Sequence, residues 1–166
     1  MQLYVVRHAM AEDRDREKWP DDSLRPLTKR GVRRFRRAAS GLRRVAPSVD
    51  VVLSSPYLRA WDTALILEDD AGWPSPVACP ELTVDDVQAL LDVIESFDQA
   101  DSIAIIGHEP YLSRFTSRLL SPGWGPWLEF RKGGVAQLEQ IDDSEPARFE
   151  LRWLLTPKTL RRLSGR

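Results

Sequence analysis

The chain contains only two histidines, and each of them follows a short apolar run. His8 comes after residues 3–6 and Arg7, and His108 comes after residues 103–107. Short runs rich in β-branched residues are typical of buried strands. Both histidines are therefore expected at the carboxyl ends of strands, which is the edge where open α/β sheets bind ligands.

Two arginines are expected at the same edge. Arg7 directly precedes His8, and Arg59 lies about one turn beyond a third strand-like run at residues 50–54. A guanidinium binds phosphate oxygens through two parallel hydrogen bonds and keeps its charge at any working pH. A neutral imidazole can attack phosphorus, and a second imidazole can donate a hydrogen bond to the oxygens where negative charge gathers. Together with His108, these residues predict a phosphoryl-transfer site.

Metal binding is the main alternative use of two histidines. The fixed charge of Arg7 beside His8 disfavours a cation, there is no third histidine, and Cys79 is the only cysteine. A lone histidine is more often structural, but two at strand ends favour a functional role. We therefore expect neither a metal nor an organic cofactor.

The bulk composition limits the class of protein. A chain of 166 residues fits one domain, which we place at residues 1–166. The 24 basic and 25 acidic residues leave a net charge of −1, which argues against a dedicated nucleic-acid binder. No apolar stretch approaches the roughly 20 residues of a membrane helix. A single cysteine excludes an internal disulfide and fits a cytoplasmic protein.

Strand-like and helix-like segments alternate along the chain, which favours an α/β layered domain. The predicted strands are residues 2–6, 50–54, 76–79, 102–107, 133–141 and 148–154, the last two forming an antiparallel hairpin joined near residues 142–144. The predicted helices are residues 28–46, 57–69, 83–97 and 110–120, and a long loop is expected at residues 11–26.

The first predicted helix carries an unusual density of positive charge. Thr28 is expected to cap it, and Pro47 to stop it. Apart from its apolar stripe, its faces carry Lys29, Arg30, Arg33, Arg34, Arg36, Arg37, Arg43 and Arg44. A solvated helix face is the expected explanation, with binding of an acidic partner as the alternative.

Four short motifs give the chain a family resemblance. Residues 3–8 (LYVVRH) resemble the opening strand and Arg-His motif of the histidine phosphatase superfamily, which has the phosphoglycerate-mutase-like fold. The other three are similar in order and spacing; they are residues 24–31 (LRPLTKRG), 53–64 (LSSPYLRAWDTA) and 106–110 (IGHEP). The short length makes the chain resemble the SixA-type branch of phosphohistidine phosphatases.

The resemblance implies a fold and a set of roles. The fold would be a three-layer α/β/α domain with a mostly parallel central sheet. His8 would be the nucleophile that becomes phosphorylated, Arg7 and Arg59 would bind the phosphoryl oxygens, and His108 would complete the pocket. One position departs from the family pattern, because Ala9 stands where glycine usually follows the nucleophile.

The general acid is expected at Glu81, which lies where many phosphatases of this superfamily place an acidic residue. Glu81 is also well placed merely to begin the following helix. Asp22 is the competing candidate, on a loop that could fold over the site, and Asp21 and Glu12 are weaker ones. Ser54 and Ser55 are expected to cap the helix near Tyr57.

The resemblance implies a phosphatase whose substrate is phosphohistidine on a carrier protein such as a phosphotransfer domain. A small phosphorylated molecule is the first alternative substrate, in a phosphomonoesterase of the same superfamily. A catalytically weak module that binds phosphoproteins is the second alternative. No nucleic acid and no membrane is expected as a partner.

Overall fold

The computed structural model describes residues 1–121, 123, 128–142 and 148–165. Its six strands are β1 (Gln2–Arg7), β2 (Val51–Ser54), β3 (Val77–Ala78), β4 (Ser102–Gly107), β5 (Val135–Gln140) and β6 (Phe149–Leu155). All six correspond to predicted strands, with bounds that differ by one or two residues. The predicted connection between the last two strands falls mostly outside the described residues.

The described helices number five. They are α1 (Lys29–Leu42), α2 (Leu58–Ala71), α3 (Val87–Glu95), α4 (Tyr111–Leu120) and α5 (Pro157–Leu163), with two 3₁₀ turns at Asp22–Leu24 and Pro80–Thr83. Four of the helices were predicted from the sequence, and α5 was not. It carries a start signal that could have been recognised, because Thr156 caps it through the Thr159 amide and Pro157 occupies its first turn.

Two predicted helices are longer than the observed ones. The first begins as expected, since the Thr28 hydroxyl accepts a hydrogen bond from the Gly31 amide at 2.8 Å. It ends at Leu42, because the chain then tightens into a turn in which the Val45 amide donates to the Leu42 carbonyl. The helix predicted at residues 83–97 begins only after Asp86, whose side chain accepts from the Ala89 amide.

The strands form one mixed sheet in the order β3-β2-β4-β1-β5-β6. The first four strands of that order run parallel, whereas β5 is antiparallel to β1 and β6 is antiparallel to β5. This confirms the α/β class with a mostly parallel sheet and the predicted hairpin. The neighbouring placement of β1 and β4 brings together the two strands that precede the histidines.

Alternate residues of the strands enter two separate cores, one on each face of the sheet. Tyr4 and Val6 of β1 pack with α1, α2 and α5, while Leu3 and Val5 pack with α3 and α4. This alternation is the period of two that a strand imposes on its side chains. The result is the expected three-layer arrangement, with helices on both faces.

No described helix is long and apolar enough to cross a membrane.

Candidate active site

The two histidines leave the sheet side by side. In the parallel pairing of β1 with β4, Arg7 is opposite Gly107, so the next residue of each strand is a histidine. The ring centroids of His8 and His108 are 5.2 Å apart. Both rings line a cavity of about 230 Å³ that Arg7 and Arg59 also line. The predicted convergence of these four residues is therefore observed.

His8 is held in a defined tautomer. Its Nδ1 lies 2.7 Å from the carbonyl oxygen of Ala9, and because a carbonyl can only accept, Nδ1 must carry the proton. The other ring nitrogen, Nε2, then has a free lone pair. Burial, and after it the positive charges of Arg59 and Arg7, lower the pKa of His8 from 6.5 to about 3. The ring is accordingly neutral at neutral pH, as a nucleophile must be.

His108 is also buried and neutral. Burial, followed by the proximity of His8 and Arg59, lowers its pKa to about 3. Its Nε2 lies 2.7 Å from the hydroxyl oxygen of Ser55. Its buried Nδ1 has no hydrogen-bond partner among the described residues. The ring is thus fixed at one nitrogen and has unused hydrogen-bonding capacity at the other.

Ser55 has a different role from the predicted one. The N-terminal cap of α2 is Tyr57, which lacks a side-chain cap bond, so the capping prediction for Ser54 and Ser55 is wrong. The hydroxyl of Ser55 instead joins His108 to the chain after β2, and it also accepts from the Tyr57 amide at 3.3 Å. The chain bends here before the helix begins, and this bend turns the hydroxyl toward the histidine rather than toward the first turn of α2.

The guanidinium of Arg7 is anchored to the loop before β5. One of its terminal nitrogens donates to the carbonyl of Phe130, and its buried Nε has no partner among the described residues. Burial lowers the pKa of Arg7, while the negative charge of Glu109 opposes this shift. Arg7 lines the histidine cavity, so an anion bound there would lie beside its positive charge.

Arg59 is almost completely buried, with 3% of its surface exposed. Its guanidinium carbon lies 5.0 Å from the ring centroid of Tyr57. Its terminal nitrogens bind Asp22, at 2.7 Å to the carbonyl oxygen and 3.0 Å to the carboxylate. The buried Nε has no partner within the described part of the chain.

Known proteins share both the motifs and the fold. Residues 3–83 match the family described as "Histidine phosphatase superfamily (branch 1)". The phosphohistidine phosphatase SixA of Escherichia coli (strain K12) is 31% identical over 166 residues, which cover 97% of each chain. The chain belongs to the histidine phosphatase superfamily.

Within the superfamily, the similarity extends to the SixA-type branch. A solved structure of the protein histidine phosphatase SixA complexed with tungstate superposes with a TM-score of 0.83 at 27% identity, over 96% of this chain and 99% of that one. An uncharacterized protein of Picosynechococcus sp. (strain ATCC 27264 / PCC 7002 / PR-6) is 30% identical over 141 residues, covering 83% and 84% of the two chains. The protein is thus a phosphatase of this superfamily.

The structure does not bring Glu81 into the cavity that the two histidines line. Glu81 lies in the 3₁₀ turn at Pro80–Thr83, where its carboxylate accepts a hydrogen bond from the Cys79 thiol at 3.3 Å. It lines a neighbouring recess together with Leu90 and Phe115. Burial and the Glu81 carboxylate raise the pKa of Cys79 to about 12, so this thiol stays protonated. A catalytic role for Glu81 remains a prediction.

Asp22, unlike Glu81, contacts a residue of the histidine cavity, because its carboxylate binds Arg59. It is ionised, however, and an ionised carboxylate can accept a proton but cannot donate one. Burial acts to raise its pKa, yet the hydrogen bond from Arg25 and the charges of Arg59 and Arg25 outweigh burial and lower it. The two ion pairs measure 2.8 Å to Arg25 and 3.0 Å to Arg59. Asp22 is therefore ionised at neutral pH. Of the weaker candidates, Glu12 lines the histidine cavity, whereas Asp21 caps the 3₁₀ turn at Asp22–Leu24.

Five residues that line the cavity were not predicted as part of the site; they are Asp13, Arg14, Arg25, Glu109 and Lys132. Arg25 is 6% exposed, binds Asp22 and donates to the carbonyl of Glu12 at 2.6 Å. Glu109 accepts from the amide of Phe130 at 2.8 Å and so orders the segment whose carbonyl receives Arg7. Lys132 lines the cavity as well. Arg25 and Glu109 lie inside motifs that carry the family resemblance, and this is the signal that could have found them.

Ala9 is accommodated without backbone strain. No described residue other than glycine has a positive φ, so the methyl group at this position meets no left-handed backbone. The Ala9 amide donates to the hydroxyl of Thr63 at 3.0 Å, which connects the residue after His8 to α2. The backbone at this position therefore does not require a glycine for its conformation.

Among the described residues, no group of three or more histidine, cysteine, aspartate or glutamate side chains is arranged to hold a metal ion.

Proposed function

We propose that the protein hydrolyses phosphohistidine on a carrier protein, such as a phosphotransfer domain, through a phosphorylated His8. The observation that carries the proposal is the pairing of two neutral histidines, 5.2 Å apart, with Arg7 and Arg59 around one cavity. The relationship to phosphohistidine phosphatase SixA supports the choice of substrate.

The first step is transfer of the phosphoryl group to Nε2 of His8. Because Nδ1 donates to the Ala9 carbonyl, Nε2 holds the lone pair that forms the new P–N bond. The bond between phosphorus and the substrate nitrogen breaks, and the leaving imidazole keeps the electron pair and takes up a proton. In the second step water attacks phosphorus and gives up a proton to solvent, the P–Nε2 bond breaks, and its electron pair returns to His8, which is neutral again as inorganic phosphate leaves.

The negative charge of the transferred phosphoryl group is stabilised by arginine and by hydrogen bonds. Phosphoryl transfer depends mainly on positioning and on stabilising charge on the equatorial oxygens. Arg7 and Arg59 both line the cavity, where their positive charges can stabilise these oxygens. His108, whose Nε2 is held by Ser55, lines the same cavity, and its Nδ1 has no hydrogen-bond partner among the described residues.

The state of Asp22 favours a leaving group that needs little help. A general acid must be protonated before it can donate, and the ion pairs of Asp22 with Arg25 and Arg59 hold it ionised. An alkoxide is a poor leaving group without an acid, whereas the nitrogen of a phosphoramidate can be protonated from solvent before cleavage. A phosphohistidine substrate therefore suits this site better than an alkyl phosphate.

We also propose one domain and a cytoplasmic location. All six strands of the described chain belong to one sheet, which supports a single domain. The free, buried thiol of Cys79 is consistent with a reducing compartment.

The test compares the wild type with His8→Gln on a histidine-phosphorylated phosphotransfer domain and on an alkyl phosphate. The wild type should dephosphorylate the protein far faster than the alkyl phosphate, and rapid quenching should trap acid-labile, base-stable phosphate on the enzyme. His8→Gln should show neither turnover nor trapped phosphate. Efficient hydrolysis of the alkyl phosphate alone would point to a small-molecule phosphomonoesterase. Binding of the phosphoprotein without turnover would point to a binding module.

A further inference from the structure

A second cavity adjoins the catalytic one and has no part in the proposed chemistry. It has a volume of about 390 Å³, and we call it the basic groove. Its defining residues come from α1, the loop before β5, and α5; they are Arg34, Phe35, Arg131, Lys132, Lys158 and Arg161. Lys132 also lines the histidine cavity, so the two cavities meet at this residue. A chain whose phosphorylated residue enters the histidine cavity could therefore continue into the basic groove.

The positive side chains of the basic groove form no ion pairs in the described part of the chain. None of its five cationic side chains forms an ion pair there, whereas Arg36, two residues along α1 from Arg34, pairs with Asp69 and Asp70. Burial, and then the charges of Arg34 and Arg37, lower the pKa of Arg161. These cations thus repel one another on a protein whose net charge is −1. Carboxylates from a partner would relieve this repulsion.

The floor of the basic groove is apolar. Phe35 is 3% exposed and packs against the loop before β5, where its Cδ2 is 3.0 Å from the position that a Cβ on Gly133 would occupy. Ala9, Met10 and Pro157 complete the lining. An apolar floor with a cationic rim matches a peptide segment in which an apolar side chain is flanked by carboxylates.

We propose that the basic groove docks an acidic segment of the phosphorylated protein substrate, with an apolar side chain of that segment placed over Phe35. This inference rests on the proposed function, because it requires a protein as the substrate. The cations are spread over three elements of the fold, which suits an extended segment better than a single small anion. The arrangement gives a role to Arg34 of α1, which forms no ion pair in the described part of the chain and lines the basic groove.

The experiment uses two synthetic peptides that carry one phosphohistidine and differ only in flanking charge, one with glutamates around a leucine and one with lysines. The wild type should prefer the acidic peptide by roughly tenfold in kcat/KM, as expected for a few exposed charge pairs. Arg34→Glu combined with Arg161→Glu should bring this ratio to about one or below. Raising the salt concentration to about 0.5 M should reduce the wild-type preference, because salt screens exposed charges.

The matched control is Arg33→Glu combined with Arg162→Glu. These two exposed residues are the sequence neighbours of the tested pair, lie outside the basic groove, and change the net charge equally. The control should keep the preference for the acidic peptide. Because the readout is a ratio between two substrates, partial loss of folded enzyme does not alter it.

Two results would overturn the inference while leaving the proposed function in place. One is equal hydrolysis of both peptides by the wild type, and the other is equal loss of the preference in the control and the tested variant. If neither peptide is hydrolysed although p-nitrophenyl phosphate is, the proposed function itself fails, and the docking inference fails with it.

Discussion

Replacing His8 with glutamine should make the protein less sensitive to acid. Burial, and after it the charges of Arg59 and Arg7, lower the pKa of His8 in the folded protein to about 3, from an ordinary value of 6.5. Between these values the unfolded chain binds a proton that the folded chain does not. The stability linked to His8 is therefore complete above pH 6.5 and is lost as the pH falls toward the folded pKa.

The magnitude follows from proton linkage. For a histidine that stays neutral only in the folded state, each unit by which the pH falls lowers the free energy of unfolding by up to about 1.4 kcal/mol. Between about pH 6 and about pH 5 the loss is about 1.2 kcal/mol for one such residue, because the unfolded histidine is already partly protonated at the start. His108 has the same direction and value, so the two together should cost about 2.4 kcal/mol.

The assay is urea unfolding at these two pH values, with protein that carries no histidine tag. Carboxylates titrate in every variant, so the difference between wild type and His8→Gln isolates the histidine. That difference should change by about 1.2 kcal/mol over the interval, and the double variant with His108→Gln by about 2.4 kcal/mol. The double variant contains no histidine at all, since the chain has only two.

A difference that does not vary with pH would refute the reasoning. His8 would then titrate in the folded protein as it does in the unfolded chain, and the structure would not be holding a neutral nucleophile. The kinetic counterpart is the pH profile of kcat/KM for p-nitrophenyl phosphate. It should show no acidic limb near the ordinary histidine pKa of 6.5.

Further outcomes test the other parts of the site. Arg7→Lys and Arg59→Lys should each lower kcat by about a hundredfold, or on the order of 3 kcal/mol, because lysine keeps the charge but cannot make the bidentate contact. Near-normal kcat in both variants would refute bidentate binding of the phosphoryl group by these arginines. Ser55→Ala should lower kcat by roughly tenfold through loss of the His108 hydrogen bond, with Ser55→Thr restoring part of it, whereas no effect would remove Ser55 as a positioning residue. If Glu81 is the acid, Glu81→Gln should slow alkyl phosphates strongly and p-nitrophenyl phosphate little; the same grading in Asp22→Asn instead would transfer the role to Asp22. Activity should survive EDTA, because arginines rather than a metal ion stabilise the negative charge of the phosphoryl group. Rescue of an EDTA-inactivated enzyme by a divalent metal would contradict this mechanism.

The sequence was sufficient to predict the sheet and the convergence of four residues, His8, His108, Arg7 and Arg59, on one cavity. The apolar runs before His8 and His108 are strong local signals, and parallel strands necessarily deliver their carboxyl ends to one edge. Helix α5 was missed because seven residues of mixed character produce a weak periodic pattern, although its capping threonine and proline are visible. The end of α1 was placed too late because the tightening after Leu42 depends on packing rather than on a breaker residue.

The partners of these residues depended on the tertiary structure. Nothing local predicts that Ser55 will contact His108, 53 positions away, or that Asp22 will bind Arg59, because such contacts depend on how loops fold over the sheet edge. The placement of Glu81 outside the histidine cavity likewise depends on the fold, which puts its side chain in a different recess.

The sequence by itself determined which chemical groups reach the edge of the sheet, because residue type and strand order are local properties of the chain. Only the tertiary structure decided their protonation and their neighbours. Burial sets the charge of His8 and His108, and burial is a property of the whole fold. The fold also gathers cations from α1, the loop before β5 and α5 into one groove, of which the sequence showed only the basic run on α1.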